Sequence, residues 1–333
     1  MTSLKELVVA GYGVKIGVRK GLLTIIDKDG NKTEYAVRSL ETIVIASSGV
    51  SITSHAVRVL MDAGVDIVFL DSHGLPIGRV YPPFINRTVD TRIKQYSLHD
   101  TEYGIGIAKT IVYCKIANQA GHMKHYARRL ASELFRETYY EILEILRELE
   151  EIQPYNLETF RREAIELEAR AAHKYWSAIA TLIPPDIGFT GRNQAGSDSF
   201  NISLNYLYGV LYKVIWRALV LAGLDPYLGY IHVERSGRPV LVYDFIEMFR
   251  VSCVDYPLTK AFYKGWKPSI EDKRIDYSSR VELIKLFKEN MSRRISYNHG
   301  EKGVLGNILK KTAFRLAESI REYKPFNGFI EDW

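Results

Sequence analysis

The sequence predicts an α+β protein in which a small β-rich domain carrying one helix precedes a larger all-α domain. Short apolar runs separated by turn residues fill the first 84 residues. The segment YPPFIN, residues 81–86, then ends regular structure with a tandem proline. Long helical patterns dominate from about residue 89. The predicted division is a β-rich domain at 1–84, a linker at 85–95 and a helical domain at 96–333.

The β-rich domain contains apolar runs of strand length and one helical stretch. The predicted strands are LKELVVA (4–10), KIGVRKGLLTIID (15–27), TEYAV (33–37), ETIVIAS (41–47), VDIVFLD (65–71) and IGRVYP (77–82). KDGN at 28–31 contains the Asp-Gly pair that is typical of a hairpin turn. SITSHAVRVLMDAG at 51–64 has a helical pattern, with Ser51 or Thr53 as its cap and Gly64 at its end.

The second domain contains amphipathic runs long enough for bundle helices. The predicted helices span 122–151, 154–183, 199–223, about 280–294 and 303–322. The stretch at 199–223 is apolar almost all round, which predicts the central helix of a bundle.

Composition limits the class of protein. The net charge of +6 and the pI of about 9.0 permit a phosphate-bearing partner without identifying one. Cys114 and Cys253 cannot form a disulfide framework, so two reduced thiols are expected. No apolar run approaches the roughly 18 residues of a membrane span, and the first residues lack a secretory signal. We therefore expect a cytoplasmic protein without a membrane partner.

Two weak motifs are set aside. GYGVKIG at 11–17 resembles a dinucleotide fingerprint, but its spacing is wrong and a strand follows it where a helix is required. His122 and His125 have the spacing of metal ligands on a helix. They lie among Lys124, Arg128 and Arg129, whose charges repel a metal ion, so a solvated basic face is favoured and a phosphate-facing one comes second.

Glu168 falls in the middle of an apolar helical stripe that contains Leu167, Ala171 and Tyr175. An ionised carboxylate in such a stripe requires a cation or a metal ion. On the residues alone, an ion pair with Lys or Arg is slightly favoured over a metal site.

The segment GYIHVERSGRPVLVYDFIEMFR, residues 229–250, holds three more polar groups in apolar surroundings. Asp244 and Glu247 are three apart and share one helix face. A turn at ERSGRP brings His232 towards them. With Glu168, this set of one imidazole and up to three carboxylates suits a hard divalent cation, and the imidazole also suits Mn²⁺. The alternative is a core histidine with two structural acids.

Four motifs in this order carry a resemblance to a known family. They are E-x-x-A-A-x-x-Y-W from Glu168, D-x-x-N-x-x-L-N-Y from Asp198, A-G-L-D-P-x-x-G-x-x-H ending at His232, and D-x-x-E-x-F-R from Asp244. The chain resembles, over nearly its whole length, the CRISPR-associated endonuclease/integrase of spacer acquisition, the Cas1 (Cas-one) family. It departs from the family at Ala169, where Gly is common, and at Val251, where Pro is common.

The resemblance implies a metal site of Glu168, His232 and Glu247 that binds Mg²⁺ or Mn²⁺, with Asp244 as a neighbouring or alternative ligand. It implies an N-terminal β-sandwich that forms a homodimer, a catalytic helical domain, double-stranded DNA as substrate and the small Cas2 (Cas-two) family protein as partner. Arg192 and Arg235 are candidate DNA-binding residues, because Arg matches phosphate oxygens; exposed surface arginines are the equal alternative.

The implied reaction joins a spacer 3′-OH to the repeat boundary by transesterification at a metal-bound phosphate. A divalent-metal nuclease acting on branched DNA or RNA in repair is the alternative enzyme. A DNA-binding scaffold without catalysis is the third possibility.

Overall fold

The protein is described by a computed structural model that covers residues 6–70, 76–81, 88–233, 236–271 and 274–333. The chain forms two compact units, Met1–Asn86 and Arg87–Trp333. The first unit carries β-strands in two sheets, and the second is largely helical, so the predicted α+β class is confirmed.

The first unit contains two four-stranded sheets and one helix. Its elements are β1 (Glu6–Val9), β2 (Val14–Arg19), β3 (Leu22–Ile26), β4 (Lys32–Ala36), β5 (Thr42–Ile45), β6 (Val50–Ile52), α1 (Ser54–Asp62), β7 (Asp66–Leu70) and β8 (Pro76–Val80). The strand orders are β1-β5-β7-β8 and β4-β3-β2-β6. Apolar residues of both sheets and of α1 share one core, which includes Ile16, Leu23, Ile43, Leu60 and Ile67.

Local signals account for most of this unit. Thr53 caps α1, because its side chain accepts a hydrogen bond from Ala56 N–H at 3.1 Å. The run 15–27 is two strands and not one: β2 and β3 form an antiparallel hairpin that turns at Lys20 and Gly21, both with positive φ.

The second unit contains nine helices and four short strands among its described residues. They are α2 (Thr88–Ser97), α3 (Glu102–Leu130), α4 (Glu133–Glu151), α5 (Leu157–Ala180), α6 (Ser199–Leu221), α7 (Val240–Glu247), α8 (Tyr256–Tyr263), β9 (Ile270–Glu271), β10 (Arg274–Ile275), α9 (Tyr277–Met291), β11 (Arg294–Tyr297), β12 (Glu301–Val304) and α10 (Leu305–Glu322). The two short antiparallel pairs, β9–β10 and β11–β12, correct the prediction of an all-α domain.

Two segment predictions differ from the structure. The predicted linker at 85–95 overlaps α2, which starts at Thr88. The predicted helix at 122–151 belongs to α3 and α4, which are separated because Ala131 adopts a left-handed conformation with φ 49°. The apolar helix at 199–223 is confirmed as central: α6 packs against α7, α8, α9 and α10.

Asn118 on α3 connects three parts of the second unit. Its buried side-chain amide donates to the carbonyl oxygens of Met248 at 3.0 Å and Phe329 at 2.9 Å. Its Oδ1 accepts from Glu331 N–H at 2.9 Å. The end of α7 and the C-terminal segment are therefore both attached to α3, one turn from Lys115.

Cys114 and Cys253 are free, buried thiols. Among the described residues, no helix has the length and apolarity that crossing a membrane requires.

Candidate active site

Three helices and one loop surround the predicted site residues. Glu168 lies on α5, and Asp244 and Glu247 lie on α7. His232 lies in the loop between α6 and α7. Helix α3 packs against both α5 and α7, so its residues reach the carboxylates of both helices.

Asp244 is fully buried and binds the loop that carries His232. Its carboxylate accepts hydrogen bonds from the backbone N–H groups of Tyr230, Ile231 and His232, the last two at 2.9 and 3.0 Å. It also lies 2.6 Å from His232 Nδ1. Asp244 thus fixes both the loop and the imidazole, and its oxygens are already engaged.

His232 presents its second ring nitrogen away from Asp244. With Nδ1–H donated to a carboxylate, the neutral imidazole keeps its lone pair on Nε2. The side chain is 49% exposed. The hydrogen bond to Asp244 raises the pKa of His232 above its ordinary value. Partial burial of the ring opposes this rise, and the charges of Asp244, Glu247 and Glu168 add to it.

Glu168 and Glu247 meet at one cation, the ammonium of Lys115. Lys115 Nζ contacts Glu168 Oε1 and lies 2.5 Å from Glu247 Oε2. The side chains of Lys115 and Glu247 are only 9% and 4% exposed. The prediction that Glu168 forms an ion pair with Lys or Arg is confirmed. The cation is Lys115, and it also pairs with a second acid, Glu247.

Arg250 is the second cation at Glu247. Its Nη2 lies 2.9 Å from Glu247 Oε1, three residues back along the chain. Burial opposes ionisation of Glu247, but the charges of Arg250 and Lys115 outweigh it and hold the pKa of Glu247 below its ordinary value. Burial likewise opposes the charge on Lys115, and Glu247 and Glu168 together raise its pKa. Lys115, Glu247 and Arg250 thus form a largely buried network of charged groups.

The donor chemistry of the site fits a divalent cation. Two carboxylates from different helices converge on one positive charge, and an oriented imidazole lies near them. Within the described ranges, no three His, Cys, Asp or Glu side chains are already arranged as a metal-ligand set. Lys115 stands between the two carboxylates instead. Glu168, Glu247 and His232 are the residues that could hold the metal.

Sequence reasoning gave no role to Lys115 or Arg250, although Arg250 ends one of the four motifs that carry the family resemblance. A signal was present for each. Lys115 interrupts an apolar stretch of α3 between the buried residues Cys114 and Ile116, and a buried lysine requires an anionic partner. Arg250 follows Glu247 at the i+3 spacing of a helical ion pair.

Arg192 is held in place by α6. Its guanidinium donates to Asn201 Oδ1 at 3.0 Å and to Asn205 Oδ1 at 2.6 Å, and it lies 5.5 Å from the centre of the Tyr208 ring. Arg250 lies 4.8 Å from the same ring. The role of Arg192 in DNA binding stays a prediction, and Arg235 lies outside the described residues.

A buried acid lies beside this pair of arginines. Asp255 accepts hydrogen bonds from Tyr208 Oη at 2.6 Å and Tyr175 Oη at 3.2 Å. Burial raises its pKa to about 6, although the two hydroxyls and Arg250 stabilise the ionised form. Asp255 ends a π-helical turn, Val251–Asp255, that joins α7 to α8.

The prediction of a solvated basic face at His122 and His125 is wrong for His122. That ring is fully buried, stacks on Trp333 with 5.1 Å between ring centres, and lies 2.9 Å from Tyr175 Oη through Nδ1. Burial lowers its pKa well below the ordinary value. The C-terminal residue covers this face, a long-range contact that local charge spacing does not indicate.

Comparison with known proteins agrees with the fold. The family described as CRISPR associated protein Cas1 matches residues 7–289. The CRISPR-associated endonuclease Cas1 2 of Saccharolobus solfataricus is 35% identical over 335 residues, which cover 99% of each chain.

Two solved structures share the fold at lower identity. A casposase bound to its integration product has a TM-score of 0.78 at 22% identity, covering 97% of this chain and 93% of that one. A Cas6-RT-Cas1–Cas2 complex has a TM-score of 0.72 at 18% identity, covering 100% of this chain and 36% of that one. The family match and the full-length relative together show that this chain belongs to the CRISPR-associated Cas1 family.

Proposed function

We propose that this protein is a divalent-metal-dependent DNA endonuclease and integrase that inserts new spacers into a CRISPR array. The observation that carries the proposal is the convergence of Glu168 and Glu247 on one cationic position beside His232, whose orientation Asp244 fixes. Membership of the Cas1 family supports it, and so does the similarity to the CRISPR-associated endonuclease of S. solfataricus.

Mg²⁺ or Mn²⁺ bound by Glu168, His232 and Glu247 would supply Lewis-acid stabilisation of the charge that develops on the scissile phosphate. The chain's own residues prepare the site. Asp244 holds the imidazole through Nδ1, so Nε2 is the ring nitrogen that would bind the metal, and Arg250 keeps Glu247 ionised and fixed. These two contacts exist before substrate binds, so the His232 imidazole and the Glu247 carboxylate are already oriented.

In strand transfer, the spacer 3′-OH loses its proton as its oxygen bonds to the phosphorus at the repeat boundary. The bond from that phosphorus to the 3′-oxygen of the adjoining flanking nucleotide breaks, and this oxygen takes up a proton and leaves as a 3′-OH. In hydrolysis, water replaces the spacer hydroxyl as nucleophile. One site serves both reactions, because only the nucleophile differs.

The proposed partners are a second copy of the chain, a Cas2 family protein and double-stranded DNA. The similar casposase structure, which holds an integration product, supports DNA as a partner, and the similar complex that contains Cas2 supports the Cas2 family protein. The dimerisation role of the first unit and the catalytic role of the second belong to the same proposal.

The test is integration of a labelled duplex with a 3′-OH into a plasmid that carries the host repeat, with Mg²⁺ or Mn²⁺ and with the Cas2 partner. Glu168→Ala and His232→Ala are expected to abolish joining while they leave the protein folded. Glu166→Gln changes an exposed acid on the same helix and is the matched control, expected to join at the wild-type rate.

Joining by both site variants at the wild-type rate would show that the site is assigned wrongly. Hydrolysis by wild-type protein without joining would favour the repair nuclease instead. Absence of both reactions together with absence of Mn²⁺ binding would favour the scaffold.

A further inference from the structure

Lys115 is placed where its ammonium group can control the site. It enters from α3, whereas the two carboxylates that it contacts come from α5 and α7. Its side chain runs through the core between buried neighbours and is only 9% exposed. Helix α3 therefore brings this positive charge to the carboxylates of the other two helices.

The metal-free site needs this charge. Two carboxylates that share one position repel when both are ionised, and Glu247, whose side chain is only 4% exposed, is costly to bury without a cation. Arg250 contacts one oxygen of Glu247 only, at 2.9 Å, and Lys115 contacts the other oxygen together with Glu168. Lys115 is therefore the group that joins the two acids.

The same contacts obstruct a metal ion. Glu168 Oε1 and Glu247 Oε2 face Lys115, and the remaining oxygen of Glu247 faces Arg250. A divalent ion between Glu168 and Glu247 would occupy the region of the ammonium and be repelled by it. A lysine head on a flexible four-carbon stem can move aside, which the planar guanidinium of Arg250, held over the Tyr208 ring, does less readily.

We propose that the Lys115 ammonium competes with the divalent cation for Glu168 and Glu247, so that it holds the metal-free site together and sets the metal affinity. The inference rests on the proposed function, because it concerns the regulation of the same site. The proposal predicts the direction of the change in metal affinity. Removal of a residue that merely supports the ligands would lower the affinity, whereas removal of a competitor raises it.

The experiment is calorimetric titration of the full chain with Mn²⁺ in the absence of DNA, combined with thermal unfolding. Lys115→Met is expected to bind Mn²⁺ roughly tenfold more tightly than wild type, because a like charge is removed from the site. The Tm of the metal-free variant is expected to fall by on the order of 10 °C, because the buried Glu247 and the partly buried Glu168 lose their shared cation. Saturating Mn²⁺ is expected to recover most of that loss.

Three further variants sharpen the result. Lys115→Arg retains the charge and is expected to keep the affinity near that of wild type. Lys109→Met removes another lysine of α3, whose Nζ binds the neutral carbonyl oxygens of Glu150 and Ile152, and is expected to leave Mn²⁺ binding unchanged. Lys115→Gln replaces Lys115→Met if the apolar side chain prevents folding, with the same expected gain.

An unchanged or weaker affinity in the neutral variants would overturn the proposal. Glu168→Gln separates this failure from that of the proposed function. If wild type binds Mn²⁺ and Glu168→Gln does not, the metal site stands and only the competition is refuted. If wild type and Glu168→Gln titrate alike, the metal site itself is wrong and the competition falls with it.

Discussion

Asp244 binds both ends of His232, the backbone N–H at 3.0 Å and the ring Nδ1 at 2.6 Å. The same carboxylate holds the two preceding N–H groups of the loop. The position of the imidazole and the conformation of its loop thus depend on one buried side chain. Asp244 therefore orients the predicted ligand His232 through contacts that involve no metal.

Asp244→Asn is expected to destabilise the protein by about 3 kcal/mol, because an amide offers one acceptor oxygen and turns an NH₂ group towards buried donors. Metal affinity is expected to fall roughly 10- to 100-fold, as for other residues that orient a ligand imidazole. Urea unfolding and Mn²⁺ titration measure the two effects. Asp186→Asn, which breaks an exposed pair with Lys267, should change stability by less than about 1 kcal/mol. Equal losses in the two variants would contradict the assigned role.

Arg250→Ala is expected to cost about 3–5 kcal/mol, because it leaves the buried Glu247 carboxylate with Lys115 alone. The second change Glu247→Gln removes the stranded charge. The double variant Arg250→Ala/Glu247→Gln should therefore be more stable than Arg250→Ala, and denaturant unfolding of the four proteins of this cycle measures the difference. Strict additivity of the two single effects would show that the pair is not coupled.

The raised pKa of Asp255 predicts a pH dependence of stability. The folded protein binds this proton more tightly than the unfolded chain does, since the pKa rises from 3.8 to about 6. Stability from this group is present below 3.8 and is lost as pH rises through about 6. The loss amounts to up to about 3 kcal/mol.

Asp255→Asn removes the titration, so the stability of wild type relative to this variant should decline between about pH 4 and pH 7 in urea unfolding. A difference that stays constant over that range would show that Asp255 ionises as freely in the folded protein as in the unfolded chain. The direction of the slope is opposite to that of an acid stabilised in its charged form.

Arg192 gives a prediction that separates phosphate binding from a structural role. If the guanidinium leaves the two asparagine oxygens to bind a phosphate, Arg192→Gln should weaken DNA binding and reduce the slope of log K against log salt by about 0.9. Fluorescence anisotropy with a duplex over a range of salt measures this slope. An unchanged slope together with lower stability would identify Arg192 as a brace between α6 and the preceding loop.

The fold was predictable wherever its cause is local. Alternating apolar runs, the Asp-Gly turn and the Thr53 cap are short-range signals, and the structure contains the corresponding strands, hairpin and helix. The break between α3 and α4 was missed because Ala131 carries no special side chain for its left-handed conformation. The burial of His122 was missed because Trp333 covers it from the other end of the chain.

Only part of the candidate site was predictable from the sequence, because some of its contacts are local and others join distant segments. The apolar stripe around Glu168 showed that a cation must be near, but periodicity does not say which lysine or arginine the fold supplies. Lys115 lies 53 residues before Glu168, and only the packing of α3 against α5 brings the two together. The spacing of Asp244 and Glu247 placed them on one face, yet it could not show that Asp244 turns to the His232 loop.

The attachment of Asn118 to both Met248 and the C-terminal segment has an evolutionary consequence. Lys115 and Asn118 lie one turn apart on α3. This helix therefore aligns three stretches that are distant in the sequence: the part of α5 around Glu168, the end of α7 and the C-terminal segment. A substitution that moves the segment around Phe329 also moves Met248, the residue that follows Glu247, because Asn118 binds both carbonyl oxygens. Drift in these stretches should therefore be correlated among descendants of this chain, with changes at the tail matched by compensating changes near residue 248.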